Sequence, residues 1–197
     1  DARRAFQIRS AHPLGTFRYL RSYPSVPRLL AAMLLLQIAL QTLPATWPYF
    51  AMEKFGCSAR DVGFSLGVYG VANVIIQAGI TGRLVARIGD ARTARTGLSL
   101  LALGYFGFAL VPQSGLLLAC IPVTVLGFMT GPALTGHMSG RIDAQAQGAL
   151  QGLIASTLSA AAIITPPLAT QIFSVFTRPD AAWRFPGAPY LLGAVFA

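Results

Sequence analysis

Six apolar stretches, at about 29–51, 62–84, 93–112, 115–139, 147–176 and 187–197, alternate with short polar turns, and positive charge collects on every second turn. Apolar surface on this scale can be hidden in one core or dissolved in a bilayer. Each complete stretch meets the roughly 17–25 residues that a helix rising about 1.5 Å per residue needs to cross about 30 Å of hydrocarbon. The sixth stops at Ala197. Hydrophobic residues make up 54% of the 197 and charged residues 11%, too few charges to clothe a soluble fold of this size. The fold class expected is an all-α polytopic membrane protein.

The cations sort by side. With residues 1–28 placed in the cytoplasm as a basic, Pro- and Gly-broken linker, the inner segments hold Arg3, Arg4, Arg9, Arg18, Arg21, Arg28, Arg83, Arg87, Arg92, Arg95 and Arg141. The outer ones hold only Lys54, Arg60, Arg178 and Arg184, a positive-inside split. The net charge of +9 therefore reads as an orientation signal, and no nucleic-acid partner is expected. Trp47, Tyr49, Trp183 and Phe185 fall near the outer ends of their stretches, where an aromatic belt is expected. Cys57 and Cys120 have no metal or disulfide spacing. No nucleophile, base and orienting acid can be assembled and no Gly-rich phosphate loop is present, so neither an enzyme nor a cofactor is expected. The chain begins at Asp1 and ends inside an apolar run, which points to a longer protein.

Local chemistry marks the helix starts and breaks. Ser58-Ala59-Arg60-Asp61 has the spacing of a capping box and starts the second span. Pro44, Pro132 and Pro166-Pro167 each remove a backbone hydrogen bond within a span, which a membrane tolerates only where protein or a watered cavity covers the freed carbonyls.

The polar residues within the spans are the nearest thing to a site. Ser65, Tyr69, Asn73 and Gln77 recur every fourth residue and draw one polar stripe down the second span. Gln37 and Gln41 repeat the pattern on the first, and the fourth and fifth add Thr130, Thr135, His137, Gln151, Ser156, Thr157 and Ser159. The third has little besides Ser99. The first, second, fourth and fifth spans are therefore expected to line a shared interior, with the third and sixth on the lipid-facing periphery. The alternative is that these groups simply hydrogen-bond between packed helices. No Asp, Glu, Lys or Arg lies deep in any span, so the chain shows no proton relay of its own, and His137 reads as an interfacial residue.

Four runs carry a resemblance. They are Phe55-Gly56-Cys57-Ser58-Ala59-Arg60-Asp61-Val62-Gly63-Phe64-Ser65-Leu66, Gly82-Arg83-Leu84-Val85-Ala86-Arg87-Ile88-Gly89-Asp90, Gly131-Pro132-Ala133-Leu134 continuing to Gly136 and Met138-Ser139, and Gln147-Gly148-Ala149-Leu150-Gln151-Gly152-Leu153. Together they resemble the C-terminal half of the tetracycline-resistance-type drug:proton antiporters of the major facilitator superfamily. The resemblance implies the second six-helix half of a twelve-helix fold, cut within its last helix, with residues 1–28 joining the halves. It further implies a bacterial inner-membrane protein that exports a small amphipathic drug such as tetracycline in exchange for protons by alternating access. The substrate site then lies between this half and a missing N-terminal half, with Gln37, Gln41, Ser65, Tyr69, Asn73, Gln77, Thr135 and Gln151 as pathway candidates. The Gly82–Asp90 turn resembles the family's loop motif, Gly-x-x-x-Asp-(Arg/Lys)-x-Gly, through Gly82, Arg83, Arg87 and Gly89, with Ala86 where the motif has aspartate. Two further departures are Asn73, where the resemblance places a titratable histidine, and Leu101, where it places an acid. A facilitator of another metabolite and a non-transporting membrane scaffold remain as alternatives.

Overall fold

A computed structural model of the chain describes residues 23, 25–112, 114–181 and 183–197. Most of the 1–28 segment, including Arg3, Arg4, Arg9, Arg18 and Arg21, lies outside the described residues. The first helix, α1 (Val26–Phe55), opens with Pro27, whose missing amide hydrogen has no acceptor to lose at that position. It closes at Gly56, whose left-handed φ of 65° lets its amide turn back onto the Met52 carbonyl. The next helix, α2 (Ala59–Ile75), starts at the expected capping box: Ser58 Oγ accepts from the Asp61 amide while the Asp61 carboxylate accepts from the Ser58 amide.

The second span is not one regular helix. α2 runs into a π-turn at Ile76–Thr81 and resumes as α3 (Gly82–Ile88). Thr81 Oγ1 donates to the Ile76 carbonyl at 3.0 Å, clipping the wide turn shut. Gly89, with φ 81°, then reverses the chain into α4 (Asp90–Leu110). The fourth span is also interrupted: α5 (Ser114–Leu126) and α6 (Thr130–Ser139) are joined by a 3₁₀ turn at Gly127–Met129, which packs against the π-turn. A second 3₁₀ turn (Ala144–Ala146) leads into α7 (Gln147–Thr177), and α8 (Ala188–Phe196) follows. No strand occurs among the described residues.

The helical runs Val26–Phe55, Ala59–Ile88 and Ala144–Thr177 are long and apolar enough to cross a membrane. Two polar contacts tie loops that are distant in sequence. At one end Tyr23 Oη donates to Asp143 Oδ2 at 2.7 Å, and at the other Arg184 pairs with Glu53. The chain therefore folds as helical rods with alternate turns at opposite ends. Arg28, Arg83, Arg87, Arg92, Arg95 and Arg141 belong to the turns at the Tyr23–Asp143 end.

Packing is centred on α1, which meets α2, α6, α7 and α8. Behind it, α4 packs on α5, α6 and α8. Phe50, Tyr105, Phe108 and Tyr190 form the aromatic centre, with ring centroids of Phe50 and Tyr190 4.8 Å apart in an edge-on arrangement. Tyr105 Oη donates to the Ala39 carbonyl at 2.6 Å, tying α4 to α1.

This corrects one expectation. The third and sixth spans are not merely peripheral, because Leu101, Tyr105 and Phe108 on α4 and Tyr190 on α8 are fully buried, while Leu103, Phe106 and Leu110 on α4 and Val195 on α8 face outward. Glycines allow the close approach: a Cβ on Gly104 would stand 2.8 Å from the Thr124 backbone, and one on Gly127 would stand 2.8 Å from Leu101 Cα. Trp47 is a second correction. It is 6% exposed and bonded to Ser65, a core residue and no part of an interfacial belt, whereas Trp183 is exposed.

Candidate functional site: a cleft with uncharged walls

Four spans enclose an open cleft of about 630 Å³. Gln37, Gln41 and Pro44 come from α1, Tyr69 from α2, Gln77 from the π-turn, Phe128 from the 3₁₀ turn, Thr135 from α6, and Ile154 and Leu158 from α7. The cleft is thus lined by the first, second, fourth and fifth spans, and neither α4 nor α8 reaches it. The irregular turns explain why Gln77 and Phe128 meet here, since the π-turn and the 3₁₀ turn pack at the same level. Tyr69 and Phe128 close one wall as a T-shaped pair with centroids 5.5 Å apart.

The structure brings together Gln37, Gln41, Tyr69, Gln77 and Thr135 from the sequence-derived candidates and leaves three outside. Ser65 accepts from Trp47 Nε1 at 2.8 Å and donates to the Val62 carbonyl at 2.7 Å, so it joins α2 to α1. It lines a small separate pocket with Trp47, Tyr69 and Phe108. Asn73 stands behind Gln77 and accepts from its Nε2 at 3.1 Å. Gln151 is exposed on α7, away from the cleft walls.

Several other polar groups serve their own helices. Ser156, Thr157 and Ser159 donate to the carbonyls of Gly152, Leu153 and Ala155. Thr130 donates to the Gly127 carbonyl at 2.7 Å and reaches the Ala94 carbonyl at 3.5 Å, which makes it a packing contact between the fourth and third spans. His137 is half-buried in the last turn of α6, off the cleft. Phe128 and Leu158 were not legible as site residues, because an apolar side chain facing a cavity and one facing lipid are the same letter in the sequence.

The walls are notable for what chemistry they lack: among the described residues, no Asp, Glu, Lys, Arg or His lines the cleft. Polarity comes from amides, hydroxyls and backbone. Pro44 has no amide hydrogen for the Leu40 carbonyl, and Pro132 has none for the Phe128 carbonyl. Leu40, Pro44, Phe128 and Pro132 all line the cleft, so both proline-broken turns border a cavity, where a membrane tolerates them.

The loop motif lies beyond the cleft. Gly82 opens α3, the Arg83 guanidinium donates to the Gly79 carbonyl, and Arg87 is exposed with no ion pair among the described residues. Ala86 and Gly89 are exposed as well. Asp90 instead lies against the fourth span, where a Cβ on Gly136 would come 3.0 Å from its Oδ1. None of these residues supplies charge to the cleft.

A multi-pass membrane protein with an uncharged cleft between its helices is the class that this architecture defines. Residues 2–166 match the family model described as Major Facilitator Superfamily, and the chain belongs to that superfamily. It is 30% identical over 192 residues to the class C tetracycline resistance protein of Escherichia coli, covering 96% of this chain and 48% of that protein. It is 32% identical over 167 residues to the class H tetracycline resistance protein of Pasteurella multocida, covering 84% of this chain and 40% of the relative. The class G protein of Vibrio anguillarum is 28% identical, over 85% of this chain and 41% of its own length. The chain thus spans about half the length of the curated relatives it matches. No solved structure matches it significantly.

Proposed function

We propose that this chain is the C-terminal half of a secondary active transporter that exports a small amphipathic drug, tetracycline first among the candidates, in exchange for protons by alternating access. The observation that carries the reading is the cleft. It opens between four spans, its walls are apolar with a few amides, and two faces beside it are bare of protein: Phe64 and Val74 on α2 are 75% and 67% exposed, and Ile163 on α7 is 74% exposed. An N-terminal half seated on those faces covers the apolar surface and completes the cleft as a pathway between the halves. Residues 1–28 are then the linker joining the halves, on the cytoplasmic side of a bacterial inner membrane, and the arginine-bearing turns face the cytoplasm.

Gln37, Gln41, Tyr69, Gln77 and Thr135 form this half's contribution to the pathway. Ser65, Asn73 and Gln151 act from outside it. Gly82, Arg83, Arg87 and Gly89 form the hinge loop between the second and third spans. With Asn73 and Leu101 both untitratable, proton coupling is assigned to carboxylates of the other half.

The test is tetracycline uptake into inside-out vesicles carrying the intact protein. Uptake driven by a proton gradient and abolished by an uncoupler is expected, with His137→Gln still active. Absence of gradient-driven uptake for tetracycline and for a panel of amphipathic drugs would overturn the reading. Orientation has its own check: Cys57 reacts with an impermeant thiol reagent from outside, and a cysteine placed at Arg92 reacts only from inside.

A further inference from the structure

The outward face of the third span carries charge at one end and an apolar groove along the rest. Arg92, Ser99 and Phe106 follow one another at intervals of about two helical turns on α4, so they stand almost in line, with Arg95 and Leu103 beside them. All five are exposed, on the side of the helix away from the buried Leu101, Tyr105 and Phe108. Ser99, Leu103 and Phe106 form with Leu191 and Val195 of α8 a groove of about 520 Å³, separate from the cleft. From Arg95 to Phe106 the helix rises about 16 Å, which is close to one leaflet, half of about 30 Å of hydrocarbon.

The polar groups at the head of this groove are unspent. Neither Arg92 nor Arg95 has an ion pair among the described residues. The acid nearest to them in sequence, Asp90, is turned onto the fourth span at Gly136. One turn further into the membrane, the Ser99 hydroxyl has no hydrogen-bond partner among the described residues either.

We infer that the groove between α4 and α8 binds an anionic phospholipid, with its phosphate on Arg92 and Arg95 and one acyl chain laid along Leu103 and Phe106. The inference needs a bilayer around the protein and is independent of the transport reading. From Thr96 to Leu110 the span carries no charge, so the two arginines mark the level of the headgroups. A guanidinium fork meets phosphate oxygens two at a time, and Ser99 offers a donor at the depth of the ester carbonyls. A zwitterionic lipid brings the same phosphate together with a cation that the arginines repel, so a net negative headgroup is selected. A second copy of the chain fits the groove less well. Two copies related by an axis along the membrane normal would set the arginines of both at one level, like charge against like.

The test is native mass spectrometry of the intact protein, delipidated in detergent and titrated with dioleoylphosphatidylglycerol or dioleoylphosphatidylcholine. Phosphatidylglycerol is expected to bind about tenfold more tightly, the scale that two basic residues at a membrane surface allow. Arg92→Gln with Arg95→Gln should abolish that preference and leave phosphatidylcholine binding unchanged. Arg87→Gln with Arg141→Gln, at the same end of the bundle but outside the groove, should keep it. Leu103→Trp builds bulk into the groove from an exposed position and should weaken both lipids severalfold with unchanged monodispersity, and glycerol 3-phosphate should displace neither. Equal affinity for the two lipids overturns the inference, as does a preference lost equally in the Arg87 and Arg141 variant, which would mean diffuse charge. Displacement by glycerol 3-phosphate, lipid binding unmoved by Leu103→Trp, or cross-linking of Leu103→Cys between two copies in nanodiscs would each overturn it as well.

Discussion

The second and third spans are both rich in glycine, yet they use it in opposite ways. On α4, added Cβ atoms at Gly97, Gly104 and Gly107 would all collide with the fourth span, at Thr130, Thr124 and Cys120. On α2, Cβ atoms at Gly63, Gly67 and Gly70 would meet nothing within 4 Å. The first set is consumed by packing within this half, and the second is left open on the face that also bares Phe64, Val71 and Val74. Without a hydrophobic force between helices in lipid, close backbone approach is what binds spans together. Which glycines are occupied therefore tells which helices this half holds for itself.

The sharpest way to break that contrast is a matched pair of substitutions. Gly104→Leu places a large side chain where Thr124 Cα already stands 2.8 Å from a bare Cβ, and should cost about 3 kcal/mol or more, seen as loss of monodisperse protein on size exclusion. Gly67→Leu, on the face assigned to the other half, should cost clearly less, because a Cβ there meets nothing of this half within 4 Å. A collapse of both would mean that the open face of α2 is packed as tightly as α4 in the intact protein.

The tyrosines of the packed side sharpen the comparison at a smaller scale. Tyr105→Phe deletes the bond to the Ala39 carbonyl and should lower stability by about 1 kcal/mol in thermal melts. Tyr190 is equally buried, but its hydroxyl has only a loose contact with Thr46 among the described residues, so Tyr190→Phe should be close to neutral. On the loosely held side, Ser65→Ala removes the partner of the Trp47 indole and should cost only about 0.6 kcal/mol. Ser58→Ala removes the capping box and should cost about 0.5 kcal/mol, the low end for a lost cap, read as faster amide exchange at the start of α2.

The sequence was most legible where local chemistry acts alone. The capping box at Ser58 and Asp61 and the apolar stretches could be read directly, because caps and hydropathy are properties of neighbouring residues. The cleft was legible in part, since Gln37, Gln41, Tyr69, Gln77 and Thr135 are polar where lipid forbids polarity. The role of α4 was not, because its buried face is made of Gly97, Leu101, Tyr105 and Phe108, and Leu101 and Phe108 would suit a lipid-facing side as well. Trp47 misled for a related reason, as tryptophan near a span end suits an interface until a partner such as Ser65 is known. The π-turn had no signature at all: Ile76-Gln77-Ala78-Gly79-Ile80-Thr81 is an ordinary apolar helix sequence with one amide.

That turn makes the second span a helix of two phases. Widening one turn inserts an extra residue without extra height, so everything from Gly82 onward is rotated about its axis relative to the stretch that carries Tyr69, by roughly the 100° that one α-helical residue subtends. Removing one residue of the turn, Ala78 for example, would restore an even pitch and keep every cleft side chain, yet it would swing Arg83 and Arg87 a quarter-turn around the rod. The compass bearing of the arginines and that of the cleft residues are set independently on one helix, and six residues at its middle hold the two in adjustment.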